Sequence, residues 1–156
     1  MENNIIYTEL QKEEINQYSN MINNVFDEFV GKDYFEQGII KFKEYTEPKN
    51  ILERFKNGSN NFYIAKYNEE IIGILEIRNK NHISLFFTKK EYHKKGIGKI
   101  LFENYKKTII NNSDVNIITV NSSIYGEKFY EKLGFIKINE VQEKDGMKII
   151  KMEYKV

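Results

Sequence analysis

A chain of 156 residues with 40% apolar side chains, 30% charged ones, 11 Phe and 11 Tyr holds the material of one packed domain, which excludes a disordered polymer. Its 24 basic and 23 acidic residues nearly cancel to +1, so no whole-molecule field draws it to nucleic acid or to an acidic membrane. The absence of cysteine removes disulfides, thiolate metal sites and a cysteine nucleophile, in keeping with a reducing compartment.

The start, "MENNIIYTELQKEEINQ", carries neither a basic leader nor a long apolar run, and no window approaches the ~20 apolar residues that span a bilayer. A cytoplasmic chain without a membrane partner is expected. "NIIYTEL" predicts a short strand, and Ile15, Tyr18, Ile22, Val25, Phe26 and Phe29, at three- and four-residue steps, predict an amphipathic helix that Gly31 ends. "YFEQGIIKFKEYT" gives a second helix centred on Ile39, Ile40 and Phe42. Pro48 opens a third, "PKNILERFKNG", closed by Asn57 and Gly58. The pattern then turns β-prone: "NFYIAKY", "IIGILEIR" and "HISLFFT", joined by "NEE" and "NKN" turns, predict an antiparallel meander.

Next comes "KKEYHKKGIGKILFENYKK", in which Ile97, Leu101, Tyr105 and Ile109 mark one helical face. "VNIITVN" resumes as a strand, completing a βαβ crossover. "SIYGEKFYEKLG" predicts a helix ending at Gly134, and "FIKINEV" with "MKIIKMEYKV" a hairpin turning at Asp145-Gly146. The order gives an α/β domain with a mixed sheet.

Gly96 and Gly98 stand where this crossover turns into its helix. A helix N-terminus presents unpaired N–H groups and a partial positive charge; glycines let an anion approach that backbone, and Lys94, Lys95 and Lys99 raise the local potential. A pyrophosphate suits such a turn. The alternative reading is a strand-to-helix turn shaped by glycine and solvated by lysine. The phosphate-loop pattern G-x-x-x-x-G-K-[ST] is absent, and "GIG" lacks the third glycine of the dinucleotide fingerprint.

"LFFTKKEYHKKGIGKILFENY", whose GIG turn is followed about 20 residues later by "VNSSIYGEKFYEKLGF", resembles the paired signature of the GCN5-related N-acetyltransferase (GNAT) superfamily, in an element order running from residue 4 to 154. The resemblance implies a mixed, mainly antiparallel twisted sheet of about seven strands flanked by helices, one N-acetyltransferase domain over 1–156, and acetyl-CoA as cosubstrate. The family turn [RQ]-x-x-G-x-[GA] maps to His93, Lys94, Lys95, Gly96, Ile97 and Gly98, with Lys99 beyond it and His93 where Arg or Gln is usual. Phe86, Phe87 and Thr88 match the strand end that hydrogen-bonds the pantetheine arm. Ser123 falls where many members contact pantetheine through Asn, its structural alternative being a helix N-cap in competition with Ser122.

Tyr130 matches the tyrosine that protonates the departing CoA thiolate. Read from the residues alone, it is helix position C3, closing against Phe135 after a left-handed Gly134. His82 lies where the histone-acetylating branch places a Glu base; strand alternation puts it on one face with Ser84, Phe86 and Thr88. Glu76 on the neighbouring strand and Glu28 near the end of the first helix are further acids to weigh, with Phe29 beside the acceptor. Each has a plain alternative, as a satisfied strand residue or a solvated helix charge.

The expected activity is direct acetyl transfer to an amine, a small molecule being favoured, with no metal and no nucleic-acid partner. The alternative is a weakly catalytic or inactive acyl-CoA-binding regulatory module. Phe, Tyr and acids in "FDEFVGKDYFEQGIIKFKEYTE" suggest a small cationic amine, and the protein is expected to be a monomer or homodimer. Abundant Asn, Lys and Ile suggest a bacterial source.

Overall fold

The computed structural model describes residues 4–112 and 114–156. Its sheet runs in the order β1 (Ile6–Glu9), β2 (Asn60–Tyr67), β3 (Glu70–Arg78), β4 (His82–Thr88), β5 (Ile117–Ser122), β8 (Met147–Lys155), β6 (Ile136–Lys137), with β7 (Gln142–Lys144) also on β8. All pairings are antiparallel except β4 with β5. The eighth strand, β7, lies beyond "FIKINEV", in which only Ile136 and Lys137 form a strand. This β6 pairs with Met152 and Glu153, and β7 forms the Asp145-Gly146 hairpin further along.

Two-residue turns at Asn68-Glu69 and Asn79-Lys80 adopt positive φ at both positions, the type that matches strand twist and that Asn tolerates, and so close the β2–β3–β4 meander. Helices α1 (Ile15–Val25), α2 (Glu36–Tyr45) and α3 (Pro48–Asn57) cover one face of the sheet; α4 (Ile97–Asn112) and α5 (Glu127–Leu133) cover the other. Ile97, Leu101, Tyr105 and Ile109 of α4 are buried as their spacing requires. Pro48 sits in the first turn of α3 and Gly58 caps it in the left-handed region.

Three details depart from the periodicity. α1 does not stop at a left-handed glycine: it widens into a π turn over Phe26–Val30, and Gly31 keeps helical angles. α2 buries Gly38, with Phe42 and Tyr45 half-buried, and leaves Ile40 exposed. In β4, Leu85 pairs with Glu76 and Ile83 with Ile77, so Ser84 is an extra residue without a partner on β3. This bulge flips the alternation. Ile83 and Phe86 therefore both pack toward α4, while Leu85 and Phe87 pack toward α1–α3. No helix among the described residues is long and apolar enough to cross a membrane.

Candidate active site

β4 and β5 are bridged only at His82–Thr119 and Ile83–Val120, although β4 continues to Thr88. Beyond Ile83 the strands part, leaving backbone groups of one edge of β4 without a β5 partner. The gap opens into a cleft of about 1090 Å³. One end is walled by the turn before α4 and by α5. The other is walled by the π turn, α2, the start of β4 and the β7–β8 hairpin. The hairpin is tied to α2 through the Phe35 N–H, which donates to the Gly146 carbonyl at 2.8 Å, and through Lys41 and Asp145 at 3.5 Å.

The glycine turn is built by its backbone. Lys94 (φ 64°) and Gly96 (φ 80°) lie in the left-handed region and α4 begins at Ile97, a conformation in which successive N–H groups can converge on an anion. A Cβ placed on Gly96 meets no heavy atom within 4 Å: this side of the turn is open to a ligand. Gly98 answers a different need, because a Cβ there would lie 2.7 Å from Cζ of Phe129. Gly98 also lines the cleft, and the packing of α5 against α4 constrains it as well. His93 fastens the turn to β4: its Nε2 lies 2.9 Å from the Thr88 carbonyl, to which only an N–H can donate, and Nδ1 lies 3.4 Å from the Tyr125 hydroxyl. Lys94, Ile97 and Lys99 line the cleft, whereas Lys95 does not; its ammonium lies 6.0 Å from the Tyr92 ring centroid.

Phe86, Phe87 and Thr88 all line the cleft. Phe86 meets Phe129 and Tyr130 at ring-centroid distances of 5.0 and 6.0 Å, and Phe87 meets Phe42 at 6.1 Å, so the two phenylalanines face opposite layers. Ser123 accepts from the Gly126 N–H at 3.0 Å in the turn before α5; Gly126, not Ser123, is the helix N-cap.

Tyr130 closes α5 as its position requires. The Phe135 N–H donates to the Tyr130 carbonyl and the Gly134 N–H to the Glu131 carbonyl, both at 3.0 Å, with Gly134 at φ 111°. The ring is 7% exposed, yet its hydroxyl makes no hydrogen bond among the described residues. Among the described residues no fully buried side-chain polar atom lacks a partner, so this hydroxyl keeps some exposure, and Tyr130 lines the cleft. Burial, with a smaller push from Tyr34, raises its pKa above the ordinary tyrosine value.

The expected bases fare differently. His82 lines the cleft with Nδ1 2.7 Å from Thr119 Oγ1, and burial, reinforced by the Arg78 charge, lowers its pKa to about 4. Because of the Ser84 bulge it faces the α1–α3 side with Leu85 and Phe87, not the side of Phe86 and Thr88. Glu76 is wholly buried and does not line the cleft. Tyr18 donates to Oε1 at 2.8 Å, Arg54 Nε and Asn60 Nδ2 donate to Oε2 at 2.8 and 2.6 Å, and Arg54 stacks 3.7 Å from the Tyr45 ring centroid. With every lone-pair direction answered, the base role expected of Glu76 does not fit. Glu28 pairs with Lys90 at 2.8 Å outside the cleft, while Phe29 lines it and packs on His93 and Tyr125 at 5.2 and 4.8 Å.

Several lining groups were not singled out from the sequence, among them Arg78, Tyr125 and Lys144. A signal existed for the first. The chain has only two arginines, Arg54 and Arg78, so each was worth questioning.

The split, mixed and mainly antiparallel sheet, flanked by helices on both faces, matches the GNAT fold. The family model described as Acetyltransferase (GNAT) domain matches residues 30–156, and the chain belongs to this family of acetyltransferases. Among solved structures it is similar to a GCN5-related N-acetyltransferase from Rhodopseudomonas palustris (TM-score 0.81, 15% identity, 97% of this chain and 95% of that one). It is also similar to the PaiA N-acetyltransferase of Thermoplasma acidophilum in complex with coenzyme A (TM-score 0.78, 22%, 97% and 99%). A third is spermidine N-acetyltransferase from Vibrio cholerae with CoA and spermine (TM-score 0.66, 16%, 98% and 96%).

Proposed function

We propose that this protein transfers the acetyl group of acetyl-CoA directly to a small-molecule amine. The observation that carries the reading is the convergence, in one cleft, of the open Gly96 turn and the unpartnered Tyr130 hydroxyl. Backbone N–H groups from Lys94 to Lys99 receive the diphosphate, aided by the Lys94 and Lys99 charges; the free edge of β4 at Phe86, Phe87 and Thr88 receives the pantetheine amides, with Ser123 opposite. Acetyl-CoA supplies an activated thioester. A β4 N–H near the split serves as donor to the thioester oxygen as charge develops there.

As the amine nitrogen bonds to the carbonyl carbon, the C–S bond breaks, sulfur takes a proton from Tyr130, and the hydroxyl regains one from solvent. Burial keeps Tyr130 protonated at working pH, and the same dry surroundings raise the proton affinity of the departing thiolate, so donor and acceptor remain matched. The amine's own proton goes to water. His82, neutral at pH 7, is too weak a base to hold it, standing ~6 units below an ordinary amine. The cationic groups at that end instead favour the neutral amine, because a neighbouring like charge lowers its pKa.

Calorimetry with acetyl-CoA and a thiol-release assay across an amine panel test the proposal; binding is expected with turnover, and Tyr130→Phe should lower kcat by ~10²-fold or more without weakening acetyl-CoA binding. Undiminished turnover in that variant would remove Tyr130 from the reaction. One observation favours a second reading, a CoA-binding regulatory module: among the described residues, the lining at the acceptor end has Asp145 paired with Lys41 as its carboxylate and His82, with its lowered pKa, as its histidine. Tight acetyl-CoA binding with no turnover on any amine decides for it.

A further inference from the structure

The acceptor end of the cleft has a charge sign that the sequence did not suggest. The segment from 26 to 47 is rich in acids, yet none of its carboxylates lines the cleft: Asp27 is held by Lys43 at 2.6 Å and Glu28 by Lys90 at 2.8 Å, both outside it. The segment contributes instead Val30, Tyr34, Phe42 and Tyr45, an apolar and aromatic wall. Among the described residues the charged lining at this end is Lys41, Arg78 and Lys144 against a single carboxylate, Asp145, and Asp145 already pairs with Lys41 at 3.5 Å. Arg78 and Lys144 have no ion pair among the described residues. Glu76 is sealed beneath the sheet by Arg54. Glu153 of β8 is paired in register with Thr119 of β5 and lies outside the lining.

A polyamine placed here would bring two or more ammonium groups to a surface with no free carboxylate, at a desolvation cost nothing offsets. An anionic group finds a guanidinium whose fork matches a carboxylate, with an ammonium on the facing hairpin. Resting on the acetyltransferase reading above, we infer that the acceptor is an amine with an aromatic or apolar body and a carboxylate, the carboxylate held by Arg78 with support from Lys144. This reverses the cationic acceptor expected from the sequence. In the reaction the amine nitrogen forms the new amide bond, the C–S bond breaks, sulfur leaves as the thiol, and the carboxylate is unchanged.

The test uses matched pairs that differ only in the carboxylate, phenylalanine against phenethylamine and 4-(aminomethyl)benzoate against benzylamine, with spermidine as the polycation. Thiol release should give kcat/KM for the better carboxylate-bearing amine at least about tenfold above its partner and above spermidine. Arg78→Gln should shrink that ratio to within about threefold, Arg78→Lys should restore part of it, and Lys144→Gln should lower it less. Calorimetry of both pairs, with and without CoA, reads the same preference on binding alone, so the inference is decided even if no amine is acetylated. It is overturned if each carboxylate-free partner binds and reacts as well as its mate, if spermidine leads, or if the ratio survives Arg78→Gln. Failure of acetyl-CoA to bind or to release thiol with any amine is a different result: it rejects the transferase reading and leaves the carboxylate preference to the binding data.

Discussion

Gly96 and Gly98, one residue apart, answer to different constraints, and their alanine variants should fail differently. At Gly96 the φ of 80° is a backbone penalty, since space around a new Cβ is open. Gly96→Ala should cost about 1–2 kcal/mol and weaken acetyl-CoA binding by reshaping the turn. Gly98→Ala drives a methyl into the Phe129 ring, which packs edge-on against Phe86 at 5.0 Å. Its stability loss should be recovered by adding Phe129→Leu, whereas that second change should do nothing for Gly96→Ala; thermal melts of the four proteins distinguish the cases. His82 gives a pH prediction at the same scale. Its folded pKa, about 4, lies below the ordinary 6.5, so the unfolded chain binds the extra proton between those values. The stability from burying it neutral is present above pH 6.5 and lost as pH falls to about 4, on the order of 2 kcal/mol after discounting for solvent screening. His82→Asn should flatten that part of the stability-against-pH curve, and an unchanged slope would show that the imidazole is not held neutral.

At the scale of elements, one carboxylate joins four of them. Glu76 on β3 takes hydrogen bonds from Tyr18 of α1, Arg54 of α3 and Asn60 of β2, while Tyr45 of α2 lies 3.4 Å from Oε2 and 2.5 Å from Ser84 Oγ in the cleft wall. The acceptor wall is thus braced from behind by a buried ion pair. Arg54→Met should cost about 3–5 kcal/mol, because Glu76 stays buried with its charge uncompensated, and adding Glu76→Gln should return part of it; denaturant melts of the two variants test the order. None of this was legible in "IIGILEIR", where alternation marks Glu76 as one polar residue in an apolar run. The meander, the α4 face, the Pro48 and Gly58 ends of α3 and the Asp145-Gly146 turn were legible, because each follows from local rules of spacing or φ. The Ser84 bulge was not: an extra residue in a strand leaves no mark on composition, yet it turns His82 to the opposite face from Phe86. Tyr130 was readable both as a cap and as a proton donor, and the geometry lets it be both, the carbonyl closing the helix while the residue lines the cleft.

Over the whole molecule the charges nearly cancel, but their placement does not. The net charge of +1 hides the end of the cleft at the glycine turn and α5, where Lys94, Lys99, Lys128 and Lys132 line it without ion pairs among the described residues, while several acids elsewhere are held in pairs of their own. A polyanionic cosubstrate should therefore be drawn in by a local field that the net charge conceals. The Debye length falls from ~20 Å at ~20 mM salt to ~4 Å at ~0.5 M, shorter than the span of this lysine group, so KM for acetyl-CoA should rise several-fold over that range while kcat at saturation stays nearly constant. Replacing Lys94 and Lys99 by Gln should raise KM at low salt and flatten its salt dependence. Replacing Lys49, which pairs with Glu47 at the start of α3, should leave both unchanged. A KM indifferent to salt would mean that backbone amides and the helix terminus hold the diphosphate alone, with the lysines only solvating the turn.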